Sequence, residues 1–237
     1  MFYNEEFIIK DNMWNNSFSY KERKTNWKAE ITVAKLVEWN TNDLKVWKNI
    51  AFEEKDFNWK IKWYYWLENF IKIKNWDKKI YIFDNHNHAL YFWYLEQIKW
   101  NIDKKSKLIH IDQHSDMENW KEFNYDKLNK ENIWKYTNYD LNVWNYIIPA
   151  KKLWIVDEIV QVRSNYKLKE LKNIKINKSN TILNIDIDFW APEMISDNDS
   201  ILIAKNLIKK SEVITIATSP YFIDQKLAIN IVKKILT

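Results

Sequence analysis

Residues 107–117 read KLIHIDQHSDM, an apolar run that ends with Asp112, His114 and Asp116 at every second position. The run is short and rich in Ile and Leu, which predicts a buried strand rather than a helix. Three good metal ligands within five residues are unusual for a purely structural strand. In an open α/β sheet, functional groups collect beyond the carboxyl ends of the strands.

The same pattern recurs on either side. Apolar runs with polar or acidic ends lie at 80–84 (IYIFD), 156–162 (VDEIVQV), 181–188 (TILNIDID) and 213–219 (VITIATS). Several are almost continuously apolar, as expected for parallel strands covered on both faces. Helical stretches separate or follow them at 89–100 (ALYFWYLEQIKW), 199–210 (DSILIAKNLIKK) and 224–236 (DQKLAINIVKKIL). Strands alternating with helices predict an α/β fold of three layers, α/β/α, with a mainly parallel sheet and right-handed crossovers. Residues 1–237 are taken as a single domain whose core is 79–237. Within 1–78, AEITVAKLVEW (29–39) reads as a strand and FNWKIKWYYWLENFIKI (57–73) as strand or helix. That part is expected to add edge strands or a small flap.

Bulk composition narrows the function classes. The chain is 46% apolar and 29% charged, which marks a globular protein able to bury a sizeable core. Its net charge of +5 is spread along the sequence with no block of like charges, so it is read as solvated surface rather than a nucleic-acid arm. Cysteine is absent, which excludes a disulfide framework, a thiolate metal site and a thiol nucleophile. The opening MFYNEEFIIKDN has acids where a signal peptide needs a basic region, and no run approaches about eighteen apolar residues. The expectation is a cytoplasmic protein with no membrane contact.

One count is abnormal. There is no glycine, although average usage would give roughly 17 in this length, and there are 15 tryptophans. Trp27, Trp76 and Trp120 follow asparagine in polar company, where Asn-Gly is the commonest tight-turn dipeptide. Trp144 and Trp154 stand where the chain leaves a loop or a helix, a favoured glycine position. The reading adopted is that many of these residues are glycines, written as tryptophan because the source organism reads a UGA codon as glycine. No functional claim therefore rests on a tryptophan. The aromatic-plus-lysine clusters that could suggest base stacking largely dissolve on this reading. No phosphate-binding loop appears even when Trp is read as Gly.

Three strand ends carry candidate chemistry: Asp84, His86 and His88 in FDNHNHAL; Asp112, His114 and Asp116 in HIDQHSD; Asp186 and Asp188 in NIDIDFW. Period-two spacing projects side chains to one side of an extended segment. Carboxylates crowded in this way repel one another unless a cation lies among them. Each motif alone is often a helix cap or a solvated loop; together, at successive strand ends, they predict a metal site. His110 lies inside its strand and is read as a buried, hydrogen-bonded histidine. With only four histidines and none after His114, H-x-H amidohydrolase barrels and the dinuclear phosphoesterases that need later histidines are excluded.

These residues resemble the arginase superfamily, whose members carry a histidine after one strand, then D-x-H-x-D, then D-x-D. The chain is most similar to uncharacterised protein family 0489, through DNHNHAL, HIDQHSDM, NYIIPA, NIDIDFWAPEM and ATSPYFID, across residues 79–225. The resemblance implies an arginase-like fold and two divalent metal ions, Mn²⁺ with Fe²⁺ or Zn²⁺ as alternatives. One ion would be held by His86 or His88 with Asp112, Asp116 and Asp186. The other would take His114 and Asp188 and share Asp112 and Asp186. A metal-bridging hydroxide would then hydrolyse a carbon–nitrogen bond, amide or guanidine-like, in a small-molecule or side-chain substrate. Asp116 and Glu193 are the candidate catalytic residues, Glu193 as a proton shuttle, although APEM also fits a helix start. Thr218 and Ser219 in TSPYFID are expected at the pocket rim.

The chain departs from the pattern at Asn145-Tyr146-Ile147, where ureohydrolases carry a histidine, and it lacks the paired histidines of deacetylases. Arginine and acetyl-lysine hydrolysis are both in doubt on that ground. A metal-dependent phosphoester hydrolase and a non-enzymatic metal-binding protein stand as rivals. The oligomeric state cannot be read from the sequence.

Overall fold

The computed structural model describes residues 2–26, 29–56, 58–73, 77–177, 180–194 and 198–237. In chain order the strands are β1 (Phe7–Ile9), β2 (Ile31–Val33), β3 (Leu36–Trp39), β4 (Val46–Lys55), β5 (Ile61–Leu67), β6 (Phe70–Ile73), β7 (Lys79–Phe83), β8 (Ser106–Ile111), β9 (Val156–Val162), β10 (Thr181–Asp186) and β11 (Val213–Ala217). The helices are α1 (Tyr20–Asn26), α2 (Ala89–Ile98), α3 (Lys130–Lys135), α4 (Ile147–Lys152), α5 (Asn165–Glu170), α6 (Asn198–Lys210) and α7 (Gln225–Leu236).

A seven-stranded sheet in the order β3-β6-β7-β11-β10-β8-β9 forms the centre. Strands β7, β11, β10, β8 and β9 run parallel, while β6 is antiparallel to β7 and parallel to β3. Alternation along each strand feeds two cores. On β7, Tyr81 and Phe83 join α2 and α4 on one face, and Ile80 and Ile82 join α6 and α7 on the other. On β10, Leu183 and Ile185 take the α6–α7 side. Burial on both faces explains the nearly unbroken apolar runs, so the expected three-layer α/β/α architecture is what the chain adopts.

Residues 1–78 supply more than a flap. Strands β3 and β6 extend the central sheet, β1 pairs with β2, and β4 with β5 forms an antiparallel hairpin. The ambiguous stretch at 57–73 is strand, turn and strand; Phe57 lies outside the described residues. No helix among the described residues is long and apolar enough to cross a membrane.

Backbone geometry bears on the missing glycines. Among the described residues eight have positive φ, and four of them are tryptophans: Trp14, Trp59, Trp100 and Trp154, at φ 54–64°. Trp100 follows the C-cap of α2; its N–H donates to Gln97 O at 3.0 Å and that of Asn101 to Glu96 O at 3.0 Å. Trp154 follows α4 in the same way, with Trp154 N–H to Lys151 O and Ile155 N–H to Ala150 O, both 3.0 Å. This paired closure is the Schellman motif, whose left-handed residue is usually glycine. A side chain with a Cβ costs roughly 1–2 kcal/mol in that conformation. Trp120 and Trp144 are not among the positive-φ residues, and Trp27 and Trp76 lie outside the described ones.

Candidate metal centre

The sheet order places β7, β11, β10 and β8 side by side, so their carboxyl ends share one edge. Register makes the meeting close. Ile185 pairs with Ile111, which sets Asp186 beside Asp112 in the next position. Past β8, the Asp112 carboxylate accepts the His114 N–H at 2.5 Å, turning the loop inward, and Asp116 adopts φ 53°. Past β10, Asp186 caps a short 3-10 turn, Ile187–Trp190, by accepting the Asp188 N–H at 2.9 Å. The segment after β11 continues against β7 through Thr218 N–H to Phe83 O and Ser219 N–H to Asp84 O, both 2.9 Å. The Ser219 hydroxyl then donates to Asp186 Oδ2 at 2.6 Å.

Two groups of ligand atoms result, and Asp112 belongs to both. His86 Nδ1 lies 2.9 Å from Asp112 Oδ2, 3.1 Å from Asp116 Oδ2 and 3.1 Å from Asp186 Oδ2. His114 Nδ1 lies 3.3 Å from Asp112 Oδ1 and 3.0 Å from Asp188 Oδ2. The two oxygens of Asp112 therefore face different imidazoles, the placement a bridging carboxylate needs. All four aspartates are at most 3% exposed.

Burial of so much potential charge disturbs several protonation equilibria in the cleft. Burial and the neighbouring Asp112 push the Asp116 carboxyl up to about 7. Burial, with Asp186 and Asp112 close by, raises Asp188 well above the usual carboxylate range. Burial also works to raise Asp112, but His110, His114 and His86 outweigh it and hold Asp112 low. The Asp112 and Asp188 carboxylates at ion-pair distance lift His114 to about 10. For His86, burial favours the neutral ring, yet the carboxylates of Asp186, Asp112 and Asp116 beside it raise it well above the ordinary value. Protons held on these groups offset part of the carboxylate charge.

A divalent cation would do the same work, and the side chains fit one. Buried atoms His86 Nδ1, His110 Nε2, Asp112 Oδ2, Asp116 Oδ2 and Asp188 Oδ2 make no hydrogen bond among the described residues. They sit at ion-pair distance from one another, or for Asp188 from His114, without meeting the geometry of a hydrogen bond. His86, His110 and Asp112 form one group able to hold a metal, and Asp112, His114 and Asp188 another. Imidazole with several carboxylate oxygens suits a first-row divalent metal.

The two histidines that the sequence leaves unranked separate clearly. His86 enters the cluster and His88 does not. His88 Nδ1 is 2.8 Å from Tyr3 Oη, its ring packs 4.8 Å from Phe70, and burial lowers it to about 3. Its Nε2 is 3.8 Å from Asp84, whose own carboxyl burial lifts to about 7. The cause is local: His86–His88 is a 3-10 turn, and three residues per turn splay positions i and i+2 that an extended segment would align.

His110 is buried and bonded to Asn184 at 3.0 Å, as expected, but its Nε2 also faces Asp112 Oδ2 at 3.4 Å. The alternation along β8 carried that signal, since His110 and Asp112 are two residues apart. Tyr146 was not foreseen. Its hydroxyl accepts from Asn184 Nδ2 at 2.9 Å, burial, with Asp116 near enough to help, raises its pKa, and its ring lies 5.2 Å from His86. Glu193 is exposed at the rim, 3.4 Å from Gln113 Nε2 and outside the cluster. Thr218 is buried, and its hydroxyl has no hydrogen bond among the described residues. A cavity of about 320 Å³ opens beside the cluster, lined by His114, Asp116, Glu118, Arg163 and Phe222 among others.

No family model matches this chain, and no curated protein matches it. Among solved structures it is similar to a hypothetical agmatinase from Burkholderia thailandensis, at 15% identity over 70% of this chain and 57% of that one, with a TM-score of 0.45. It is also similar to proclavaminate amidino hydrolase from Streptomyces clavuligerus, at 11% identity over 66% and 61% of the two chains, with a TM-score of 0.48. The chain spans less than two thirds of the length of either. At these scores neither likeness carries the argument, which rests on the geometry above.

Metal should raise stability with the logarithm of its concentration over Kd, by about 2.7 kcal/mol at a hundredfold excess. With Mn²⁺ added to chelator-treated protein, thermal unfolding should move up for the native chain and for His88→Phe, but not for Asp112→Asn or His86→Ala. An upward shift retained in Asp112→Asn would remove the shared carboxylate from the account.

Proposed function

We propose that the chain is an arginase-like hydrolase of a carbon–nitrogen bond, amide or guanidine-like, that works with two divalent cations. The observation that carries this reading is Asp112, one buried carboxylate shared between two histidine-aspartate groups at the ends of parallel strands. The motif resemblance in DNHNHAL, HIDQHSDM and NIDIDFW supports the class of bond. His86, Asp112, Asp116 and Asp186 would hold one ion; His114 and Asp188 would hold the other and share Asp112 and Asp186. Mn²⁺ is the expected metal, with Fe²⁺ or Zn²⁺ as alternatives. Bound in such a site, a cation pair lowers the pKa of water and stabilises charge developing on the attacked group.

The protein's own groups hold this arrangement in place. Ser219 fixes Asp186 through its hydroxyl, and Asn184 bonds both His110 and Tyr146 beneath the cluster. Gln113 links the site to its rim: its backbone N–H lies 3.4 Å from Asp188 Oδ1 and its amide 3.4 Å from Glu193. Glu193, outside the cavity lining but 3.4 Å from the Gln113 amide, stays the proposed proton shuttle. Phe222, with its ring 4.5 Å from His114, walls one side of the cavity against water. With Mn²⁺ supplied, a panel of amides, guanidino compounds and phosphoesters should show turnover only in the first two classes, lost in Asp188→Asn. Phosphoester turnover alone would overturn the bond class, and a metal-loaded protein inert toward all three would favour a binding role.

We also infer that many of the tryptophans are glycines in the native host, read from UGA codons. The support is the absence of glycine from 237 residues and the four tryptophans at positive φ, two of them closing Schellman motifs. The intact mass of protein isolated from that host should fall below 29.2 kDa by a fixed step for each exchange. A mass equal to that of the written sequence would contradict the inference.

A further inference from the structure

Two cavities meet at Phe222. One is the space of about 320 Å³ beside His114 and Asp116. The other, of about 400 Å³, opens between the β4–β5 hairpin and residues 220–226. Phe222 lines both. Its ring is 4.7 Å from that of Tyr221, which in turn lies 5.0 Å from Tyr64 and 5.0 Å from Phe52. An unbroken row of rings thus runs from His114 out to the hairpin.

Two of the polar groups along this groove serve the fold: Asp224 Oδ1 accepts the Leu227 N–H at 3.0 Å and caps α7, and Gln225 Nε2 donates to Thr218 O at 2.8 Å. Gln225 Oε1 has no hydrogen bond among the described residues, and the exposed Lys226 also lines the groove. The rest of what a ligand would meet is mainly ring faces together with Val46 and Tyr65, which are 37% and 44% exposed at the outer edge. The volume falls in the range of small-molecule pockets, roughly 300–1,000 Å³, which bury mainly apolar surface.

We propose that this groove is a substrate subsite that takes an aromatic or branched apolar group, with the scissile carbon–nitrogen bond held beside His114 and Asp116. The occupant follows from continuity: a molecule whose reacting end lies against His114 has Phe222, Tyr221 and Tyr64 as its next contacts. This inference rests on the proposed metal centre, and it narrows the substrate to amides or related compounds bearing an apolar tail. Such a tail gains affinity by leaving water, and ring-on-ring contact adds to that gain.

Two hydroxamates that share one metal-chelating head test it: acetohydroxamate and 3-phenylpropionohydroxamate, titrated calorimetrically into Mn²⁺-loaded protein. The phenyl compound should bind about tenfold tighter or better, a gain of about 1.4 kcal/mol. Tyr64→Ala and Phe222→Ala should each cut that ratio to threefold or less, while Tyr64→Phe and the exposed control Tyr166→Ala keep it. Equal affinities for the two compounds in the native chain, with binding still dependent on Mn²⁺, would overturn the subsite and leave the metal centre standing. A ratio unchanged in both alanine variants would overturn it as well. If neither hydroxamate binds, the metal centre falls and the subsite with it.

Discussion

Four carboxylates, those of Asp112, Asp116, Asp186 and Asp188, converge in one cleft that water barely reaches. A buried charge left uncompensated is among the costliest features a fold can carry. Every other property of the site follows from how that cost is met. Without cations the cleft must retain protons, which is why Asp116 and Asp188 titrate high and why His86 and His114 hold their protons so firmly. Cations in the same space would release those protons, since metal ligands bind in their deprotonated forms.

The scaffold beneath the cleft is built in layers that the parallel register aligns. One row below the aspartates, His110 pairs with Asn184 and Asn184 with Thr215 across three neighbouring strands. These side chains bond one another: Thr215 donates to Asn184 Oδ1 at 2.7 Å, and the Asn184 amide reaches both His110 and Tyr146, leaving His110 Nε2 facing the cluster. A hydrogen-bonded layer of this kind holds its members in one geometry, because rotation strands a buried donor or acceptor. Asp112 and Asp186 stand on that layer, each two residues further along its strand. Ser219, itself at φ 43°, and Asp116 at φ 53° are held in left-handed conformations by the loops that bring them to the cluster. Backbone of that kind is retained where the surrounding structure fixes it, and it gathers at functional sites.

Much of this was legible from the residues alone. Five apolar runs became the five parallel strands, and on all but the edge strand β9 burial on both faces leaves a nearly continuous hydrophobic record. Period-two spacing at strand ends singled out Asp112, His114, Asp116, Asp186 and Asp188, but a loop after β8 and the 3-10 turn Ile187–Trp190, rather than extended backbone, bring them together. The same rule did not separate His86 from His88, since those residues sit in a 3-10 turn where period two has no meaning. His110 looked structural because it precedes the strand end, yet alternation puts it on the face of Asp112. Strands were legible at 29–39 and, as one option, at 57–73, whereas Tyr146, β1 and β4 left little trace: their roles depend on pairing across long sequence distances that a single chain does not display. Trp154 was recognised by where the chain leaves a helix, and Trp100 completes the same motif without having drawn notice.

The account stands or falls on whether the cleft is a metal centre. Elemental analysis of protein purified from its host without chelator addresses that directly, by counting transition-metal ions per chain. The account predicts about two, as a dinuclear site requires, and a marked loss of both when Asp112, the shared ligand, is replaced by asparagine. A chain that is properly folded yet free of such metal, and that takes up none from a Mn²⁺, Fe²⁺ or Zn²⁺ solution, would contradict it.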